Sequence, residues 1–154
     1  MRTSGLKPTS MADYNEIVAF TKGVGVRPVS FTSTDSTTAK QIYAPADPAS
    51  RINFMAISST AATQHYVLLQ LHNSTTGDIA PLGVITVPSG AGTNGSVSIV
   101  SGLNRGNLPW LQIDSDGNPF IDLNLNMNLE MAMLSALSSG ETITITTSGG
   151  SYAA

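Results

Sequence analysis

Apolar and polar residues alternate without interruption between Leu123 and Met133. The apolar positions are Leu123, Leu125, Met127, Leu129, Met131 and Met133, and the positions between them are Asn124, Asn126, Asn128, Glu130 and Ala132. Side chains of an extended strand point alternately to opposite sides of its sheet, so this alternation predicts one long strand with an apolar face and a carboxamide-rich face. A spacing of four between Leu129, Met133 and Leu137 leaves a short helix over 130–137 as the alternative, but the alternation favours the strand.

From Val24 onward, β-prone segments are separated by clusters of turn residues, and no internal repeat is apparent. The predicted strand segments are 29–32, 40–43, 51–59, 64–73, 79 with 82–87, 97–100, 111–113, 120–123 and 142–147. In the segment 51–59, the alternation places Ile52 and Phe54 on one side of the strand and Met55 on the other. This spacing predicts an all-β fold, an antiparallel, jelly-roll-like β-sandwich of about eight strands.

Residues 1–22 read as an N-terminal arm, and residues 23–154 as a single sandwich domain. The arm is polar at first, and Tyr14, Ile17 and Phe20 then follow at a spacing of three, which permits a short helix. The arm is either a frayed terminus or an element that becomes ordered against another subunit. Under the second hypothesis Tyr14, Ile17 and Phe20 are interface residues. The single tryptophan, Trp110, is either a core side chain or a further interface anchor.

We expect neither nucleic acid nor a membrane as a partner. Its net charge is −3, and its seven Lys and Arg residues are scattered rather than clustered into a basic patch. No apolar run approaches the roughly 18 residues that a membrane span requires. Only 11% of the residues are charged, and Ser and Thr outnumber them. A surface so poor in charge is typical of a protein that partners cover.

Two glycine and aspartate motifs resemble known ligand sites but lack essential parts. Gly90, Gly92 and Gly95 have the spacing of a dinucleotide-binding loop, but the following residues favour a strand where that site needs a helix. Asp114, Asp116 and Asn118 match the first ligand positions of a calcium-binding loop, and Pro119 and Leu125 then occupy positions that need Gly and Glu. A flexible glycine loop and a tight turn explain these residues better. We therefore expect no cofactor and no metal site.

No set of residues points to catalysis. The two histidines, His65 and His72, are seven residues apart on one predicted strand and so lie on opposite faces of it. The chain contains no cysteine and no Gly-x-Ser-x-Gly nucleophile motif. We expect both histidines to be half-buried sheet residues, and we expect that the protein is not an enzyme.

Six short segments combine strand and turn signals in a characteristic order. They are Ser50–Asn53, Tyr66–Asn73, Leu82–Pro88, Leu108–Leu111, Asp116–Ile121 and Gly140–Ile145. This order resembles small β-sandwich virion proteins of tailed bacteriophages, of the capsid decoration or cement class. The resemblance covers roughly residues 35–152 and does not extend to residues 1–20.

The resemblance implies a non-enzymatic virion protein on the capsid surface. Such a protein bridges major capsid subunits and stabilises the shell against the pressure of packaged DNA. The resemblance also implies a homo-oligomer, with a trimer as the favoured state, whose partners are the major capsid protein and its own copies. The alternative function is a carbohydrate-binding module or adhesin-type sandwich, which would present aligned aromatic side chains on one face.

Overall fold

The computed structural model describes residues 22–151, and nearly all regular structure in this range is β-strand. The strands are β1 (Lys22–Thr32), β2 (Lys40–Tyr43), β3 (Ala49–Ser59), β4 (His65–Asn73), β5 (Ile79–Val87), β6 (Val100–Ser101), β7 (Gln112–Ile113), β8 (Pro119–Asn124), β9 (Met127–Met133) and β10 (Thr142–Ser151). A single 3-10 turn, Ser33–Asp35, follows β1. Eight of these strands are four or more residues long. The predicted all-β fold is therefore confirmed.

The strands form two antiparallel sheets that pack face to face. The six-stranded sheet has the order β1-β10-β3-β8-β7, with β6 paired to β3, and the four-stranded sheet has the order β2-β9-β4-β5. Among the eight longer strands, the first pairs with the last, the second with the second-last, and so inward: β1–β10, β2–β9, β3–β8 and β4–β5. Folding one long antiparallel hairpin over itself produces this pairing, which is the jelly roll.

The hydrophobic core lies between the two sheets. Its central side chains are fully buried and come from both layers: Phe31, Ile52, Ile57, Leu69, Ile85, Leu129, Met131, Met133, Ile143 and Ile145. Burying one such side chain stabilises the fold by about 1.5–3 kcal/mol. A buried hydroxyl also links the layers, because Thr147 Oγ1 in β10 donates a hydrogen bond to the carbonyl oxygen of Ile42 in β2 at 3.0 Å. The two sheets are therefore joined by a shared core and by this hydrogen bond.

The predicted long strand over Leu123–Met133 is wrong in one respect, because a turn divides it. Leu125 and Asn126 form the turn, and Asn126 adopts a left-handed backbone conformation with φ of 70°. The chain passes here from β8 in the six-stranded sheet to β9 in the four-stranded sheet. The carboxamides therefore do not share one face, and Leu125 is exposed. Residues 127–133 are extended, so the strand interpretation of this region is confirmed against the helical alternative.

Local hydrogen bonds explain why two of the predicted turns are correct. Residues 73–78 connect the antiparallel strands β4 and β5, and the Asn73 side-chain oxygen accepts from the backbone N–H of Thr75 at 3.0 Å. Residues 114–118 connect β7 and β8, and Asp114 Oδ1 accepts from the backbone N–H of Asp116 and of Asn118 at 2.9 and 2.8 Å. Such side-chain bonds replace backbone pairing within a tight turn.

Hydroxyl groups cover the outer face of β10. Ile143 and Ile145 point into the core, so the threonines between and beside them, Thr142 and Thr144, point outward. Thr144 Oγ1 in β10 and Ser30 Oγ in β1 lie 2.8 Å apart, and Thr142 Oγ1 lies 3.1 Å from Oγ1 of Thr60, the residue after β3. These pairs connect neighbouring strands without using charge.

The arm residues Tyr14, Ile17 and Phe20 lie outside the described residues, as does the short helix predicted for them. The division into an arm of 1–22 and a domain of 23–154 stays a prediction. Strand β1 begins at Lys22, where it pairs with Ser151 at the end of β10. None of the described residues forms a helix of the length and hydropathy that crossing a membrane requires.

Candidate binding groove and interaction surfaces

A β-bulge in β3 determines which of its side chains face outward. Ile52 lies opposite Gly149 and Phe54 lies opposite Ser148, so Asn53 is an additional residue in β3. One additional residue reverses the alternation of the strand. Ile52 therefore faces the core, whereas Phe54, which the alternation placed on the same side, is 49% exposed.

Gly149 allows the two strands to approach each other at this bulge. A Cβ atom at Gly149 would lie 2.3 Å from the carbonyl oxygen of Arg51 and 3.1 Å from Cα of Ile52. Both of these are backbone atoms, so they cannot move aside as a flexible side chain could. The bulge that turns Phe54 outward thus depends on a glycine in the neighbouring strand.

A groove lies beside the bulge, where the six-stranded sheet has a gap. Strand β3 pairs with β8 as far as Ile52 and with β6 from Ala56, and the N–H of Gly102 donates to the carbonyl oxygen of Met55 at 2.8 Å. The gap along this edge is therefore confined to Asn53 and Phe54. The groove has a volume of about 450 Å³, and Phe54, Ile99 and Leu103 contribute to its largely apolar lining. Its size lies within the range of ligand-binding clefts.

Asp114 gives the groove a negative charge. Asp114 and Asn118 belong to the turn between β7 and β8 and are part of the polar lining. The backbone N–H of Asn118 is the main reason that the pKa of the Asp114 carboxyl lies below its ordinary value, and the N–H of Asp116 acts in the same direction. The groove therefore offers apolar surface next to an ionised carboxylate.

A second apolar surface lies on the outer face of the four-stranded sheet. Leu68 pairs with Val84 on one side and with Ala132 on the other, and the N–H of Leu134 donates to the carbonyl oxygen of Tyr66 at 3.0 Å. Tyr66, Val84 and Leu134 are all exposed. The outer faces of a sandwich point away from each other, so this surface and the groove can contact different partners at the same time.

Trp110 lies at the surface and not in the core. Its side chain is 42% exposed, and its indole N–H donates to the carbonyl oxygen of Leu82 in the edge strand β5 at 2.8 Å. Nearby, Leu108 packs against Gly83, where a Cβ atom would lie 2.5 Å from the Leu108 side chain. The loop that carries Trp110 thus covers part of an otherwise open sheet edge. An interface role for the exposed indole stays a prediction.

One row of side chains has the residue types of a catalytic triad but not its distances. It consists of Ser135, His65 and Glu141. Ser135 Oγ is 3.4 Å from His65 Nδ1, and Glu141 Oε2 is 3.8 Å from His65 Nε2. Both distances exceed the roughly 2.6–3.2 Å of the hydrogen bonds that join nucleophile, base and orienting group in a triad. The Glu141 carboxylate accepts instead from the backbone N–H of Ala62 at 2.8 Å and of Ser138 at 3.0 Å. We interpret this row as a structural link between two loops.

His72 takes part in a separate polar group on the outer face of the four-stranded sheet. Its Nδ1 lies 2.7 Å from Glu130 Oε1, and Gln70 Nε2 donates to Glu130 Oε2 at 3.0 Å. His65 is buried and His72 is partly exposed, and the alternation of β4 puts them on opposite faces, as predicted. Within residues 22–151 no group of three or more His, Cys, Asp or Glu side chains is placed to hold a metal ion.

Three carboxylates have a lowered pKa in the folded protein, which predicts that acid weakens the fold. The pKa of Asp35 is lowered chiefly by its hydrogen bond to Lys40, that of Asp114 by the N–H of Asn118, and that of Glu141 by the N–H of Ala62. A lowered pKa in the folded state means that the unfolded state binds more protons, so the stabilisation is complete above the ordinary pKa and is lost as the pH falls through the folded value.

We therefore expect the urea midpoint of unfolding to fall as the pH is lowered from 6 to 3. The triple variant Asp35→Asn, Asp114→Asn, Glu141→Gln should be less stable than the natural chain at pH 6 and should lose less of its stability on acidification. A variant with the same pH dependence as the natural chain would assign the acid sensitivity to other groups.

Of the four predicted interface residues, only Trp110 lies among the residues that the structure describes. The structure adds Phe54 and Ile99, which the sequence did not identify. No signal in the sequence marks Asn53 as the additional residue of a bulge, and without the bulge Phe54 is assigned to the wrong side. Ile99 lies in a stretch predicted to be a strand over 97–100, of which only Val100 belongs to β6.

No protein-family model matches this sequence, and no curated protein matches it either. Among solved structures, one similar chain is the Drosophila NLP-core, whose crystal structure is described as providing insight into pentamer formation and histone binding. The superposition has a TM-score of 0.42 and 5% sequence identity, and it covers 83% of this chain and 96% of that chain. A likeness at this level supports no inference about the assembly or the partners of this protein.

Proposed function

We propose that this protein is a non-enzymatic virion structural protein that decorates a tailed-phage capsid and stabilises it by bridging major capsid subunits. The observation that carries the proposal is the pair of exposed apolar surfaces on opposite outer faces of one sandwich. One is the groove with Phe54 and Ile99, and the other contains Tyr66, Val84 and Leu134. A body with two such surfaces can attach to a capsid subunit through one of them and to a further copy of itself through the other, so an oligomer of this body bridges several capsid subunits.

The surface chemistry supports a role in permanent attachment. Large apolar side chains are exposed on several parts of the described body: Val26, Phe54, Tyr66, Ile79, Val84, Ile99, Trp110, Ile113, Leu125 and Leu134. Those that lie close together form apolar patches of the kind found at interaction sites. Only 11% of the residues in the chain are charged. Contacts of this kind are individually modest, but many copies on a regular lattice combine them into high avidity.

The resemblance in the sequence supplies the identity of the partner in this proposal. Turn and strand segments between residues 35 and 152 resemble capsid decoration proteins, and the jelly-roll fold is one of the folds found in capsid proteins. A fold is shared by many functions, so the fold alone assigns none of them. The proposal depends on the two surfaces and on this resemblance together.

The geometry gives less support to the carbohydrate-binding alternative. A sugar-binding platform needs aromatic rings aligned on one face. Among the described residues, Phe54 lies on the six-stranded sheet, Tyr66 on the outer face of the four-stranded sheet, and Trp110 in the loop beside β5. These three rings belong to separate parts of the surface.

Electron cryomicroscopy of native particles tests the proposal. We expect virus particles whose genome encodes this chain to carry it as protrusions at regular positions of the capsid lattice, over the seams between major capsid subunits. The control is the same virus with the gene deleted, which should lack these protrusions and release its DNA at a lower temperature. Shells with identical density in both preparations would contradict the proposal.

A further inference from the structure

The groove beside β3 has the features of a peptide-binding site. It lies beside Asn53 and Phe54, between the end of the β8 pairing and the start of the β6 pairing, and exposed apolar side chains contribute to its lining. Apolar grooves commonly receive the apolar face of a short helix, whose side chains at a spacing of three or four enter the groove. Phe54 is 49% exposed and Ile99 is 54% exposed, so both are available for contact.

We propose that this groove receives residues 14–20 from the N-terminal segment of a second copy of the same chain. This inference rests on the proposed function in treating the arm as an attachment element, and it adds the site that receives the arm. The segment contains Tyr14, Ile17 and Phe20, which match the apolar lining of the groove in chemistry.

The direction of β1 favours a second copy over the chain's own arm. Lys22 pairs with Ser151, which in turn pairs with Ser50. Val26 pairs with Ser148, which in turn pairs with Phe54. Going back along β1 from Val26 to Lys22, the chain therefore moves away from the level of the groove. An arm that continues in this direction leads away from its own groove, whereas a neighbouring copy can lie in its path.

The length of the segment sets how far from Lys22 the receiving groove can lie. The 21 residues before Lys22 can span at most about 70 Å, and Ile17 can lie up to about 17 Å from Lys22. An exchanged arm adds contact area without enlarging the folded body, and the ordering of the arm is offset by the contacts that it makes. Such an exchange produces a homo-oligomer in which each groove is filled by a neighbour. The surface with Tyr66, Val84 and Leu134 of every copy then stays available for a capsid subunit.

Disulfide trapping tests the proposal directly, because the chain contains no cysteine. Two single variants, Ile17→Cys and Ile99→Cys, are purified, mixed and oxidised, with one of them isotopically labelled. We expect a disulfide that joins residue 17 of one copy to residue 99 of another. Ile79→Cys is the matched control, because Ile79 is 55% exposed but lies in β5 of the other sheet, and it should trap at least tenfold less.

Mass measurements by light scattering complete the test. The natural chain should be larger than one copy, and Ile99→Asp should weaken self-association at least tenfold while Ile79→Asp does not. Both variants change exposed side chains, and their thermal unfolding should confirm that they fold. Any one of four results would overturn the proposal. Three are a monomeric natural chain, equal trapping at positions 79 and 99, and no trapping at position 99. The fourth is a 17–99 disulfide that forms only within one chain when a single chain carries both Ile17→Cys and Ile99→Cys.

These measurements use the purified protein without capsids, so they separate the two proposals. Exchanged arms in a protein that is absent from particles would leave the groove assignment intact and remove the decoration function. Decorated particles whose purified protein shows no arm trapping at the groove would leave the decoration function intact and remove the groove assignment.

Discussion

Replacing Phe31 with alanine is expected to lower the free energy of unfolding by about 4 kcal/mol. Phe31 is fully buried although its strand, β1, is an edge strand, and it lies opposite Ile143 in the register of β1 with β10. Removing the ring leaves a cavity that the surrounding strands cannot close. Because small domains are stable by only about 5–15 kcal/mol, the loss is a large part of the total.

Urea denaturation of the natural chain and of Phe31→Ala measures this difference. The control is Val26→Ala in the same strand, where the side chain is 64% exposed and the change should stay within about 0.5 kcal/mol. If Phe31→Ala does not fold, Phe31→Leu should still fold with a loss of about 1.5 kcal/mol. A loss below about 1 kcal/mol for the alanine variant would mean that β1 contributes little to the core.

Changing Gly149 to alanine should destabilise the protein by about 3 kcal/mol, because the new methyl group would overlap the backbone of β3. The Cβ atom would lie 2.3 Å from the carbonyl oxygen of Arg51. The strands would have to separate at the bulge, and the orientation of Phe54 would change with them. We therefore expect weaker arm trapping at position 99 as well as lower stability.

Gly25 provides a closely matched control for this variant. It lies directly opposite Gly149 in the register of β1 with β10, and a Cβ atom at Gly25 would meet nothing within 4 Å. Gly25→Ala should change stability by less than about 1 kcal/mol, and the expected direction is stabilisation through a less flexible unfolded chain. Equal effects of the two variants in urea denaturation would show that the close approach at Gly149 is unimportant.

The fold class could be predicted from the sequence because the alternation of residues records which side chains face the core. The same alternation could not reveal the turn at Leu125 and Asn126. Both sheets of a sandwich face one core, and a two-residue turn preserves the alternation, so Leu123 and Leu129 point inward from different sheets. The pattern reports burial, but it does not report to which sheet a strand belongs.

The candidate groove could not be predicted for a related reason. It depends on one additional residue, Asn53, and on the close approach of two backbones at Gly149. A bulge arises from the pairing of residues about 95 positions apart, and no local pattern records such pairing. The turns at 73–78 and 114–118, in contrast, are determined by hydrogen bonds between near neighbours, and the sequence predicted both.

The pairing of β1 with β10 has a consequence for how the protein is made. The first and last strands of the described body are neighbours in one sheet, and β10 also separates β1 from β3. Contacts between residues so distant in sequence form slowly, in about milliseconds to seconds for folds of this kind. During synthesis the six-stranded layer stays incomplete until Ser151 has left the ribosome, so the groove beside β3 takes its final shape only after translation of the body has finished.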